Sequence, residues 1–220
     1  MSRNPELDAI RTAATNQRIL EAAFRVFSEK SIEQSNLVDV AKEVHLGIAS
    51  VYRYYPTKPD LVLAVAAWAW EKFYKTYVDR TSQEEIEKRT GAEDFESYLE
   101  SFLYLYREHS DMLRFNQYFN LYLRSGNIPA DKVDPYTEMI SVQAKRFSVT
   151  YRKGQEDGTL RTELSEEEMF STTMHLMLAV VTRYAVGLAY MQGTDVEREL
   201  NLQKQMLMKE FVTGGFPIAP

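Results

Sequence analysis

The sequence predicts an all-α protein, with a three-helix head joined to a larger helical body and about nine helices in total. Three observations lead there. Apolar residues recur at three- and four-residue spacing along most of the 220 residues. Capping residues and Gly or Pro breakers punctuate the chain between these stretches. No segment alternates apolar and polar residues as a half-buried strand does, and no internal repeat or low-complexity tract appears.

Taken in order, Ile19, Ala22, Ala23, Val26 and Phe27 form one apolar face of a first helix. Asn4-Pro5 reads equally as an early cap of that helix or as part of a flexible arm over residues 1–14. Leu37, Val40, Ala41 and Val44 mark a short second helix capped by Ser35 or Asn36. A third runs from about Ile48 to Tyr54 and must stop before Pro56. Thr57 with Asp60 is a capping box for a long fourth helix reaching about Asp79. The charged stretch Arg80 to Asp94 reads as a loop. Further helices follow at about 95–108, 111–124 and 135–156, separated by the Ser125–Pro129 breaker and ended by Gly158. Ser165 with Glu168 opens an eighth helix to Gln192. Thr194 with Glu197 opens a ninth, which Gly214, Gly215 and Pro217 end. The domain boundary falls near Pro56, giving a head of 1–56 and a body of 57–220.

Composition narrows the function classes. There is no cysteine, which excludes disulfides, thiolate metal sites and cysteine nucleophiles. The three histidines sit on separate segments, so no metal cluster arises by spacing, and no cofactor is implied. No Walker loop, dinucleotide glycines, HExxH or GxSxG is present, which leaves an enzyme without a motif. Leu61 to Trp70 is apolar throughout, but spanning a membrane takes about 20 residues. His175 and Arg183 interrupt the longer run from Met174 to Met191. No secretory signal is visible, so a cytoplasmic location is expected. The net charge of −6 lies wholly beyond residue 60, because eight basic residues balance eight acidic ones before it. A neutral head permits DNA binding without demonstrating it.

The second and third helices, joined by His45-Leu46-Gly47, are too short to close a core alone. With the first beneath them they make a helix-turn-helix, whose last helix enters a DNA major groove. In that helix Val51 and Tyr55 can face inward, while Ser50, Tyr52, Arg53 and Tyr54 offer donors outward. Lys58 adds a cation at the start of the fourth helix, where free amides also favour phosphate.

The run from Thr15-Asn-Gln-Arg-Ile-Leu-Glu-Ala-Ala23 through Phe27 and Asp39-Val-Ala41 to Ser50-Val-Tyr-Arg-Tyr-Tyr-Pro-Thr-Lys58 and Leu61 resembles the DNA-binding domain of the TetR family. Gly154-Gln-Glu-Asp-Gly-Thr-Leu-Arg161 is a familiar link ahead of the eighth helix in such proteins. By position the resemblance implies that Ser35, Ser50, Tyr52 and Lys58 meet phosphates, with Asn36 beside them. It implies that Ile48, Ala49 and Arg53 lie in or near the groove. Ser31 and His45 stand where the family usually has Gly, so both turns should be strained or reshaped. Ile48 stands where Lys is frequent, which leaves base preference open.

The body is dense in aromatic residues. An apolar cavity with a few polar handles would satisfy its many tyrosine hydroxyls, although plain core packing explains each residue singly. The candidate pocket lining is Trp68, Phe102, Tyr118, Tyr122, Phe147, Met174 and His175, with His175 also readable as a hydrogen-bonded core residue. Leu176, Ala179, Val180, Arg183, Tyr184, Gly187 and Leu188 form a stripe on the eighth helix, as do Leu200, Gln203, Leu207 and Phe211 on the ninth. The resemblance implies that these stripes build a two-fold dimer interface. The expected function is a regulator, a repressor released from a palindromic operator on double-stranded DNA by a small organic effector. The alternative is a small-molecule-binding or scaffolding protein whose helix-turn-helix no longer binds DNA.

Overall fold

The computed structural model describes residues 5–78, 80–126, 128, 134–161, 163–189 and 191–214. Among these residues the chain forms ten helices: α1 (Pro5–Lys30), α2 (Leu37–Glu43), α3 (Ile48–Tyr54), α4 (Lys58–Val78), α5 (Gln83–Lys88), α6 (Gly91–Glu108), α7 (Ser110–Arg124), α8 (Asp134–Glu156), α9 (Glu166–Ala185) and α10 (Val196–Phe211). One isolated bridge, Leu160 with Val212, is the sole extended pairing among them. None of the helices is long and apolar enough to cross a membrane.

Of the two readings of Asn4-Pro5, the early helix start holds, with residues 5–14 helical, and three other expectations change. Pro5 suits a first helical position, and Glu6 and Asp8 complement the positive end of the helix. The expected loop 80–94 contains α5 and the start of α6. Each opens on a capping box, Ser82 with Glu85 and Thr90 with Glu93. α9 stops at Ala185 instead of Gln192, because Gly187 (φ 75°) turns left-handed. There the Leu188 amide donates to Arg183 O and the Gly187 amide to Tyr184 O, a Schellman stop. α10 is capped by Asp195, one residue beyond the expected Thr194. The side chains of the expected cap at Asp134 and Pro135 lie outside the described residues, as does Gly215.

The chain divides into two compact units that differ from a cut at Pro56. The first comprises residues 1–73 and 114–136, the second 74–113 and 137–220. The reason is apolar area. α2 and α3 are seven residues each, so the head needs more partners to bury its face. Leu61, Val62, Val65 and Ala66 of α4 and Phe115, Phe119 and Tyr122 of α7 complete the core built on Ile19, Phe27, Val40 and Val51.

In the second unit α6 packs against both α9 and α10. Phe95, Leu99, Phe102, Phe147, Met177, Leu200 and Phe211 are buried there. The start of α6 is held by the segment after α8. The Gly91 amide donates to Asp157 Oδ2 at 2.7 Å, the Ala92 amide to Thr159 Oγ1 at 2.9 Å, and Lys153 Nζ to Asp94 Oδ2 at 2.8 Å. A Cβ on Gly91 would overlap the Gly154 backbone, and a Cβ on Gly154 would overlap the Leu160 side chain. The Gly154–Arg161 link is thus a cap and a close crossing.

Candidate nucleic-acid interface

The site begins at the α2 cap. Asn36 Oδ1 accepts from the Val38 and Asp39 amides at 2.9 and 3.0 Å, and Asp39 Oδ2 accepts from the Asn36 amide at 3.0 Å. This capping box fixes the direction of a helix too short to persist alone. α2 ends in a second Schellman stop, the His45 amide donating to Lys42 O and the Leu46 amide to Ala41 O. The left-handed residue is His45, φ 56°, and the turn after α1 places Ser31 at φ 70°. Among the described residues these two are the non-glycine residues at positive φ. Both turns therefore keep the glycine conformation while carrying a side chain.

Gly47 then caps α3, and its carbonyl accepts from the Ser50 amide at 2.8 Å. Val51 is fully buried, which turns Ala49, Tyr52 and Arg53 outward together. Arg53 Nη2 donates to Ser50 Oγ at 3.2 Å, leaving the Ser50 proton available to an acceptor such as phosphate. Arg18 Nη2 donates to Val44 O at 3.0 Å, and Arg25 pairs with Glu43 at 2.9 Å, tying α1 to the end of α2. At the far end of α3, Tyr55 Oη donates to Asn16 Oδ1 at 2.7 Å, the inward role expected for it. Tyr54 is half-buried and directs its hydroxyl to Thr12 O. Thr57 and Asp60 make the expected capping box at the start of α4. Lys58 sits there half-buried, its Nζ 5.4 Å from the centre of the Tyr122 ring. Burial draws the Lys58 pKa below its usual value, while the Glu33 and Asp39 carboxylates act in the other direction.

One expected DNA contact is corrected. Ser35 is buried, and its single hydroxyl proton goes to Ser31 O at 2.5 Å, so it has none left for phosphate. Ile48 packs half-buried against the head core, beside the outward face of α3. The exposed set is Asn36, Ala49, Tyr52 and Arg53, with Ser50, Tyr54 and Lys58 half-buried at its margin.

The expected pocket residues do not share one unit. Trp68, Tyr118 and Tyr122 belong to the first, Phe102, Phe147, Met174 and His175 to the second. The Trp68 ring meets Phe24 edge-on and Lys72 over its face, and its Nε1 donates to Gln17. The Phe102 and Phe147 rings both meet Tyr98 edge-on, at 5.3 and 5.0 Å between centres. The Tyr98 hydroxyl meets Thr173 Oγ1 at 3.2 Å, and burial pushes its pKa well above the usual phenol value. His175 is exposed and is not a core residue. A cleft of about 670 Å³ in the second unit is instead lined by Tyr106, Arg107, Tyr184, Asp195 and Glu197, among others.

Of the expected dimer residues, Leu200 and Phe211 are core; Phe211 meets Phe95 edge-on at 5.9 Å. Ala179 and Gly187 are exposed, while Val180, Arg183, Tyr184 and Leu207 are half-buried. Leu176 of the expected α9 stripe is exposed, and so are Leu202 and Met206 on α10, two residues the sequence reading passed over. For α10 the signal was available as the side opposite its core stripe.

Residues 19–65 match the family described as "Bacterial regulatory proteins, tetR family". A curated relative, the uncharacterized HTH-type transcriptional regulator YuxN of Bacillus subtilis, is 19% identical over 179 residues, 81% of this chain and 56% of its own length. The chain thus spans little more than half of that relative. Among solved structures, a putative transcriptional regulator from Saccharomonospora viridis in complex with choline is similar, with TM-score 0.72, 18% identity, and coverage of 91% of this chain and 98% of that one. So is the transcriptional regulator FadR of Bacillus subtilis in complex with stearoyl-CoA, with TM-score 0.69, 18% identity, and coverage of 87% and 97%. A TetR transcription regulator from Haloarcula marismortui gives TM-score 0.70 at 18% identity, covering 91% and 99%. These structures share the all-helical fold, and the sequence match to the tetR family lies in the head, at residues 19–65.

Proposed function

We propose that the protein is a transcriptional regulator that binds a palindromic DNA site as a homodimer and leaves it when a small organic effector binds. Its output on this reading is repression. The observation that carries the reading is the outward face of α3, where Ala49, Tyr52 and Arg53 lie together within the matched segment 19–65. Phosphate contacts from Ser50, Tyr52 and Lys58 would set the register, and Arg53 would reach base edges. The exposed residues Leu176, Leu202 and Met206 support a dimer through α9 and α10, which is the symmetry a palindrome requires. The similar structures that hold choline and stearoyl-CoA support a small-molecule effector, and the second unit is where this reading puts it.

The test is a mobility shift with the DNA flanking the protein's own gene. The reading predicts a retarded complex that dissolves as salt rises, because phosphate contacts release counterions. No binding to that DNA or to any mixed-sequence duplex at low salt would refute it.

A further inference from the structure

Tyr122 lies on α7, outside the matched head and more than 60 residues from Lys58, yet the two meet in one compact unit. Tyr122 is buried, 4% exposed, and its phenol pKa is raised by burial and by the Glu33 carboxylate. The Lys58 ammonium rests over this ring, 5.4 Å from its centre. Free lysine side chains lose appreciable rotamer freedom when they bind. A ring under the ammonium restricts that freedom in advance and leaves N–H donors pointing away from it.

We propose that Tyr122 is a positioning residue for DNA binding, holding the Lys58 ammonium ready for a backbone phosphate. This rests on the DNA-binding reading above. The attraction to the ring is weaker than a charge-assisted bond to phosphate, so the ring orients the cation without withholding it. The consequence is that α7, a helix beyond the head, sets the state of a DNA contact.

The experiment measures binding of a labelled mixed-sequence duplex, and of the duplex flanking the gene, against salt concentration. The variants are Tyr122→Leu, Tyr122→Phe and Lys58→Ala, plus Tyr122→Leu in the Lys58→Ala background, with thermal melts confirming that each is folded. Tyr122→Leu should weaken binding about two- to fivefold on both duplexes and flatten the salt dependence. Tyr122→Phe keeps the ring and should bind as the parent does. In the Lys58→Ala background the change to Leu should have no further effect. Should Leu fail to fold, the Phe variant and a Tyr122→Met variant, which keeps apolar volume, decide the matter: Phe must retain affinity and Met must lose it. Parental affinity and salt slope in the Leu or Met variant, or an equal loss without Lys58, would overturn the positioning role while leaving the DNA-binding reading intact. If Lys58→Ala and Arg53→Ala together bind as the parent does, both fail.

Discussion

Tyr55 Oη donates a 2.7 Å hydrogen bond to Asn16 Oδ1, so the residue that ends α3 is fastened to α1 by a pair 39 positions apart. Val51 beside it is buried, and together they fix the rotation of α3 about its axis. Tyr55→Phe should cost about 1 kcal/mol, since Asn16 loses its partner. Thermal melts of Tyr55→Phe, Asn16→Ala and the double variant should show that the effects are not additive. Burial raises the Tyr55 pKa above its ordinary value. Because its neutral form is favoured in the fold, its contribution is complete below about pH 10 and is lost as pH climbs through the folded pKa. Tyr55→Phe should therefore make alkaline unfolding less steep.

His45 and Ser31 hold left-handed backbone without being glycine. His45→Gly should raise stability by about 0.5–1 kcal/mol, the relief of that strain less the added freedom of the unfolded chain. Ser31→Gly should gain less, because it forfeits the contact from the Gln34 amide to Ser31 Oγ. His45→Val should be destabilising, as a β-branched residue tolerates this region worst. Chemical denaturation checks all three.

Gly91 and Gly154 meet backbone to backbone. Gly91→Ala should destabilise the second unit by about 1–3 kcal/mol, since neither main chain can move aside without breaking the Asp157 and Thr159 bonds to α6. Gly47→Ala is the control, because open space surrounds it. Equal melting temperatures for Gly91→Ala and the parent would show that the crossing is looser than described.

If α9 and α10 form the dimer, Leu176→Glu with Met206→Glu should yield a folded monomer. Both side chains are exposed in the single chain, at 52% and 63%, so charge there leaves the subunit core untouched. Sedimentation gives the mass, and a retained dimer would put the interface elsewhere.

The head was legible because its signals are local. Thr57 with Asp60, and the Ser50 to Lys58 run, each need only a few neighbouring residues to be read. The strain at Ser31 and His45 was visible for the same reason. α5 was missed although Ser82 with Glu85 marks its start, since a single apolar residue, Ile86, among its six offers no periodicity. The pocket was not legible because aromatic composition does not tell a packed cluster from a lined cavity. Tyr98 meets both Phe102 and Phe147 edge-on, a contact that leaves no mark in the local sequence. Leu200 and Phe211 share helical spacing with an interface but serve the subunit's own core. Only the fold reveals which side of α10 meets α6. The partnership of Lys58 with Tyr122 is long-range and leaves no trace in either local sequence.

The central claim is that the α3 face and the start of α4 bind DNA. Its most direct test is fluorescence anisotropy of a labelled duplex flanking the gene, titrated with the parent and with Arg53→Ala, Lys58→Ala at several salt concentrations. The account predicts salt-dependent binding by the parent, and in the double variant a loss of at least tenfold with a shallower slope, each lost phosphate contact lowering the slope by about one. Identical affinity and slope for the two proteins, both folded, would contradict it.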